Sequence, residues 1–204
     1  MKKKLLLLFV LLTAMTVRAL AVDVDSIQYS LNSDGTATVT HCLYTSTPNI
    51  VIPSTITSGG NTYTVKAIGS WVFNGFPFIT SITLPSTLES IAYRAFYYSR
   101  IKTLTLPEGL VTIGPEAFSN CDSLKSITLP ASIQSIDNSA FQECDKVESV
   151  TFTSNNNVTW IGGGHFANMT QLRSVRLRTA SPTFPVTCST IARSCKALTF
   201  PARR

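Results

Sequence analysis

An apolar triad spaced L-x-x-L-x-L returns five times along this chain, as Ile79/Ile82/Leu84, Ile101/Leu104/Leu106, Leu124/Ile127/Leu129, Val147/Val150/Phe152 and Leu172/Val175/Leu177. Its steps are 22, 23, 23 and 25 residues. A second block keeps the same phase: Ile68-Gly69 before Phe73, Ile91-Ala92 before Phe96, Ile113-Gly114 before Phe118, Ile136-Asp137 before Phe141 and Ile161-Gly162 before Phe166, with steps of 23, 22, 23 and 25. Two blocks that drift together over five copies mark an internal repeat, and a period of this length belongs to solenoids, whose units stack one on the next.

Within one unit the elements are short. Ser126-Ile127-Thr128-Leu129 alternates polar and apolar, the period of a strand, and Pro130 ends the ladder because it has no N–H. Ile133 and Ile136 are expected to point inward along the crossing that follows. Phe141, Cys144 and Val147 fall three apart, which suits one or two turns of 3₁₀ or α-helix. Such a unit cannot cover its own apolar side, but copies about 4.8 Å apart can pair in parallel and line up their Ile, Leu and Phe in columns. The expected fold is therefore an α/β-type repeat solenoid, with a parallel β-sheet on one face and short 3₁₀ or α turns on the other.

The ends of the chain read differently. Lys2, Lys3 and Lys4 precede the apolar run Leu5 to Leu12, and Ala19-Leu20-Ala21 is a small-x-small cleavage site, so residues 1–21 are expected to be an export signal. The run is too short to cross a hydrocarbon layer of about 30 Å, and no membrane span is expected. Removing Lys2, Lys3, Lys4 and Arg18 takes the formal charge from +6 to +2. The remaining basic excess lies at the end: Arg173 to Arg204 holds 7 basic residues and no acid. That block suits either an anionic partner or an edge and tail kept soluble by charge. Export argues against nucleic acid. The hydrophobic share of 44% against 14% charged residues excludes a disordered chain. The expected organisation is a signal at 1–21, a β lead-in at 22–49, about five to six repeats at 50–178 and a tail at 179–204.

The string Ile-x-x-Leu-x-Leu-Pro, followed by Ile-Gly-x-x-Ala-Phe and a Cys three residues after the Phe, resembles the BspA-like leucine-rich repeat family of secreted and surface bacterial proteins. The lead-in stretches Ser33 to Val39 and Val51 to Val65 are similar to the way such chains begin. The resemblance covers about Tyr29 to Pro185. It implies a short, curved leucine-rich-repeat solenoid and a non-enzymatic role in adhesion to host, matrix or cell-surface protein or glycan. The chain departs from the generic leucine-rich repeat in placing Pro85, Pro107 and Pro130 after the strand, where an Asn ladder is usual. Its fifth copy is irregular: Asn155-Asn156-Asn157 lengthens the turn and His165 takes the slot of Ala95, Ala117 and Ala140. After Arg178 the match thins, as in a short or truncated member, and no sorting or anchoring segment is evident.

No catalytic residue, cofactor or metal site is expected. Five cysteines, Cys42, Cys121, Cys144, Cys188 and Cys195, are an odd number for an exported chain. Cys121 and Cys144 share a repeat position, so they are either bridged or two small buried thiols; Cys188 and Cys195 are a further candidate pair. Neither His41 nor His165 has the C-x-x-C company of a zinc site. His41 and Cys42 are adjacent on a strand and face opposite sides, which defeats a thiol-hydrolase pair. Gly162-Gly163-Gly164 lacks the Lys and Ser/Thr of a phosphate loop.

What remains is the outward side of the strands. One row is Ser81, Thr103, Ser126, Ser149 and Ser174, and the next is Thr83, Thr105, Thr128, Thr151 and Arg176. Such a lattice suits a flat or repetitive partner, a surface protein or a glycan, although exposed strand positions favour Thr for packing reasons alone. The alternative role is a structural spacer in a larger surface assembly. The inward and outward assignment has a direct consequence for stability. Phe118→Ala is expected to cost about 3 to 5 kcal/mol and Ser126→Ala no more than about 0.5 kcal/mol, as read by denaturant unfolding; equal costs would invert the assignment.

Overall fold

A strand of three or four residues with one apolar side is stable only if its neighbours supply both edges of the ladder, and this chain supplies them from its own next coil. The computed structural model describes residues 21–24, 26–43, 48–153, 160–161, 166–176 and 197–199. The lead-in provides β1 (Ala21–Val24), β2 (Ile27–Leu31), β3 (Thr36–Cys42), β4 (Asn49–Val51), β5 (Thr55–Ser58) and β6 (Asn61–Ile68). The coils then alternate a face strand with a return strand. In order these are β7 (Ser81–Thr83), β8 (Ser90–Ile91), β9 (Thr103–Leu104), β10 (Thr112–Ile113), β11 (Ser126–Leu129) and β12 (Ser135–Ile136). They continue with β13 (Ser149–Phe152), β14 (Trp160–Ile161), β15 (Ser174–Arg176) and β16 (Ala197–Thr199).

The return strands stack in register. Ile68, Ile91, Ile113, Ile136 and Ile161 pair in sequence through parallel β6, β8, β10, β12 and β14. At the start of this sheet β3 pairs in parallel with β6, bringing Val39 beside Ile68, and β2 and β1 add antiparallel strands outside it. Tyr29, Ala37 and Val39 are fully buried there, so the lead-in seals the open end of the apolar column. The face strands form two parallel groups, β4-β7-β9 and β11-β13-β15-β16. Ile50, Ile82 and Leu104 align in the first, and Ile127, Val150, Val175 and Leu198 in the second. Parallel pairing and the expected inward residues are as the spacing implies: Ile127, Leu129, Ile133 and Ile136 are buried while Ser126 and Thr128 are exposed.

The phenylalanines make the third column. Phe73, Phe96, Phe118, Phe141 and Phe166 stack with ring centroids 5.0, 4.9, 5.1 and 6.0 Å apart and planes within 13° of parallel. Centroid separations in this range are those of offset-stacked rings, each pair adding about 0.5 to 1.5 kcal/mol beyond burial.

The expected helical turns are absent: the described residues contain neither α nor 3₁₀ helix. The reason is how the backbone is used around each Phe. Arg94, Phe96 and Tyr98 donate their N–H groups to the carbonyls of Pro115, Ala117 and Ser119 in the next coil, at 3.1, 2.8 and 3.0 Å. Ala95, Tyr97 and Ser99, in between, donate back three residues. Glu116, Phe118 and Asn120 repeat the pattern onto Asn138, Ala140 and Gln142. A helix would need consecutive donors kept within the coil. It also needs consecutive right-handed residues, and the residues two before and two after the Phe have positive φ: Arg94 and Tyr98 at 51° and 58°, Glu116 and Asn120 at 51° and 60°, Ser139 and Glu143 at 58° and 59°. The spacing of three that suggested helix reflects isolated turn bonds, such as Val147 N–H to Cys144 C=O at 3.1 Å. Two-residue return strands replaced the remaining helical expectation.

Close stacking fixes one glycine. A Cβ on Gly114 would lie 2.9 Å from the carbonyl carbon of Ala92 and 3.1 Å from Ile91 O and Tyr93 N, all backbone of the preceding coil. We expect Gly114→Ala to destabilise by about 1 to 3 kcal/mol through overpacking, and Thr112→Ala, exposed on the same return strand, to stay within about 0.5 kcal/mol, both by denaturant titration.

Candidate functional site

The two hydroxyl rows occupy the face strands as the register requires. Ser81 pairs with Thr103, Ser126 with Ser149, and Ser149 with Ser174. In the second row Thr128 pairs with Thr151, and Thr151 with Arg176, whose side chain lies outside the described residues. Thr105 is exposed just past the end of β9. The rows extend backwards to Asn49 and Val51, which pair with Ser81 and Thr83. They are not one sheet, since no strand pairing joins β9 to β11 among the described residues.

Within the described residues, none of the hydroxyls of Ser81, Thr83, Thr103, Thr105, Ser126, Thr128, Ser149, Thr151 and Ser174 has a hydrogen-bond partner. Some hydroxyls elsewhere are spent between coils: Thr87 Oγ1 donates to Val65 O at 2.7 Å, Ser132 Oγ to Leu110 O at 2.5 Å and Thr153 Oγ1 to Leu129 O at 3.3 Å. Those three tie one coil to its neighbour, whereas the rows are left to solvent or a partner.

The cysteines among the described residues are thiols. Cys42, Cys121 and Cys144 are free. Cys121 Sγ donates to Phe96 O at 3.2 Å and Cys144 Sγ to Phe118 O at 3.1 Å, so the residue three after each Phe caps a carbonyl of the coil before it. Ser99 holds the same position in the earlier coil and lies 3.2 Å from Cys121 Sγ. Burial pushes the Cys144 thiol well above its ordinary range, with contact to Cys121 adding to the effect; burial also raises Cys42. Neither favours the thiolate a nucleophile needs. His41 is exposed on β3 beside half-buried Cys42. The expectations for His165, Gly162 to Gly164, Cys188 and Cys195 lie outside the described residues.

A second surface escaped the sequence reading. Arg94 lies with its guanidinium carbon 4.9, 5.0 and 4.7 Å from the ring centroids of Trp71, Tyr93 and Tyr97, and its Nη2 is 2.6 Å from Glu116 Oε2. That carboxylate raises the Arg94 pKa further, so the guanidinium stays charged. Trp71 meets Tyr93 and Tyr97 edge to face at 5.4 and 6.2 Å, and Tyr97 meets Tyr98 at 5.0 Å. Three successive coils thus contribute to one cluster, held by cation–π and edge contacts. Further along the same turns an open groove of about 640 Å³ is lined by Asn120, Asp122, Glu143, Asp145, Asn168, Met169 and Thr170. The signal was available: aligned on the Phe, the first two coils place Trp or Tyr at outer positions that later coils fill with small or polar residues.

A family model described as a BspA type leucine rich repeat region matches residues 66–195 in six copies. A search of curated proteins finds no match. Among solved structures, the leucine-rich repeat protein of T. pallidum is 31% identical with a TM-score of 0.69, the match covering 76% of this chain and 71% of that one. The pneumococcal vaccine antigen PcpA is 25% identical with a TM-score of 0.74, over 90% of this chain and 50% of that one. A leucine-rich cell surface protein of Faecalibacterium prausnitzii is 25% identical with a TM-score of 0.54, over 78% and 54%. This chain therefore spans about half the length of the last two.

The thiol geometry is directly testable. With Cys188 and Cys195 replaced by Ser, a thiol reagent at neutral pH is expected to label only Cys42 rapidly in the folded protein, and Cys121 and Cys144 only after denaturation. Rapid labelling of Cys144 in the folded state would contradict its burial.

Proposed function

This chain belongs to the BspA-type leucine-rich repeat family, and from that premise we propose that it is an exported recognition module that binds a surface protein or glycan without transforming it. Residues 1–21 serve as the export signal, residues 22–49 cap the stack and the coils present the contact face. Two structural neighbours carry names that speak of a surface setting, a vaccine antigen and a cell surface protein. The observation that carries the reading is the repeat of outward hydroxyls along the face strands, nine of them in two groups and none with a partner among the described residues. A rigid row of unspent donors and acceptors meets a partner at low cost in conformational entropy.

The reading assigns Ser81, Thr83, Thr103, Thr105, Ser126, Thr128, Ser149, Thr151, Ser174 and Arg176 to the docking face. No role in it falls to the thiols, which are buried or raised away from the reactive form.

The test is capture on immobilised matrix proteins and cell-surface preparations, with wild type beside a Thr105→Lys, Thr128→Lys, Thr151→Lys variant. The variant is expected to lose capture at least tenfold while keeping its melting temperature within a few degrees. Capture unchanged by the three lysines moves the contact off the strand face. No capture of any kind leaves the spacer role as the better account.

A further inference from the structure

We propose that the turn side of the coils carries a second binding surface, a strip from Trp71 through Tyr98 to Thr170 that takes a neutral oligosaccharide. This goes beyond the strand-face reading and does not depend on it.

The backbone supplies the first argument. Trp71, Arg94 and Tyr98 have φ of 64°, 51° and 58°, a region in which Gly and Asn are least strained. The column of Tyr98 holds Gly75, Asn120, Glu143 and Asn168 in other coils. Trp71 and Tyr98 are 43% and 56% exposed, so a large part of each ring stays open to solvent or a ligand. Bulky rings at left-handed turn positions thus present apolar surface outward from the stack.

The second argument is rigidity. The cluster is clamped through Arg94, which touches three rings and Glu116 together, and through the N–H groups of Arg94 and Tyr98, which are tied to the next coil. A fixed arrangement of ring faces and edges loses little freedom when a ligand arrives.

The third argument selects the ligand. Ring faces suit the C–H faces of pyranoses, while the phenolic hydroxyls and the Glu116 carboxylate suit their hydroxyls. The Arg94–Glu116 pair is neutral as a unit. From Tyr98 the strip runs on into the groove lined by Asn120, Asp122, Glu143, Asp145, Asn168 and Thr170, planar amides and carboxylates that bond hydroxyls well. A protein hot spot would deplete acids at its centre, and the three carboxylates would repel an acidic polymer. Coils about 5 Å apart, as the Phe rings measure, set the rings and then the amides and carboxylates one after another along the axis.

The test is a glycan array carrying neutral and anionic oligosaccharides, followed by calorimetry of the best neutral ligand. The variants are Trp71→Asn and Tyr98→Asn, in which Asn relieves the left-handed backbone. Each is expected to weaken that ligand at least tenfold while the variant stays folded by circular dichroism. A Thr112→Ala control, exposed on the return strand and outside both surfaces, is expected to bind it as wild type does. The proposal is overturned if no neutral glycan is retained, if both ring variants bind unchanged, or if the rings are needed only for an anionic glycan or a protein. In each of those cases the strand-face reading stands or falls by its own variant.

Discussion

Around Phe73, Phe96 and Phe118, alternate N–H groups leave their own coil and donate to carbonyls of the following one. Phe73 to Ala95, Phe96 to Ala117 and Phe118 to Ala140 are bonded at 2.7, 2.8 and 2.7 Å. This single arrangement sets the distance between coils, and with it the spacing at which the rings stack and the isoleucines of the return strands pair. It satisfies buried backbone groups without a helix, the accounting that a turn sunk in an apolar core must meet. Because each coil is completed by its neighbour, no unit is an independent folding body, and the lead-in strands are needed to close the first column.

The same arrangement has a cost that shapes the surface. Donating outward at alternate positions requires left-handed residues on either side of the Phe, and side chains there project from the turn. Most coils fill these positions with Ser, Asn or Glu. The first two coils place Trp71, Arg94 and Tyr98 there, two of them with much of the ring still exposed. The chemistry of the turn side thus changes along the axis from aromatic to amide and carboxylate while the backbone beneath stays the same. On the strand face the backbone also repeats, and so do the hydroxyls, which makes that face uniform where the turn side is graded.

The buried thiols show how a residue that looks chemically suggestive is absorbed by the fold. Cys121 and Cys144 stand one coil apart at equivalent positions, a spacing that suits a bridge, yet each sulfur is turned to a carbonyl of the coil before it. Ser99 holds the equivalent position one coil earlier, its hydroxyl 3.2 Å from Cys121 Sγ.

The sequence by itself determined the repeat, its phase, the inward residues and the outward rows, because burial on a two-residue period is written directly in the order of apolar and polar side chains. Ile127, Leu129 and Phe118 were legible in this way, as were Ser126 and Thr128. It did not reveal the turns or the aromatic cluster. A spacing of three is shared by helices and by isolated turns, and only the coil lying beside it decides whether an N–H bonds backwards within the chain or sideways out of it. Trp71, Tyr93, Arg94, Tyr97 and Glu116 are spread over three coils, so their meeting depends on the 5 Å rise that tertiary stacking alone imposes.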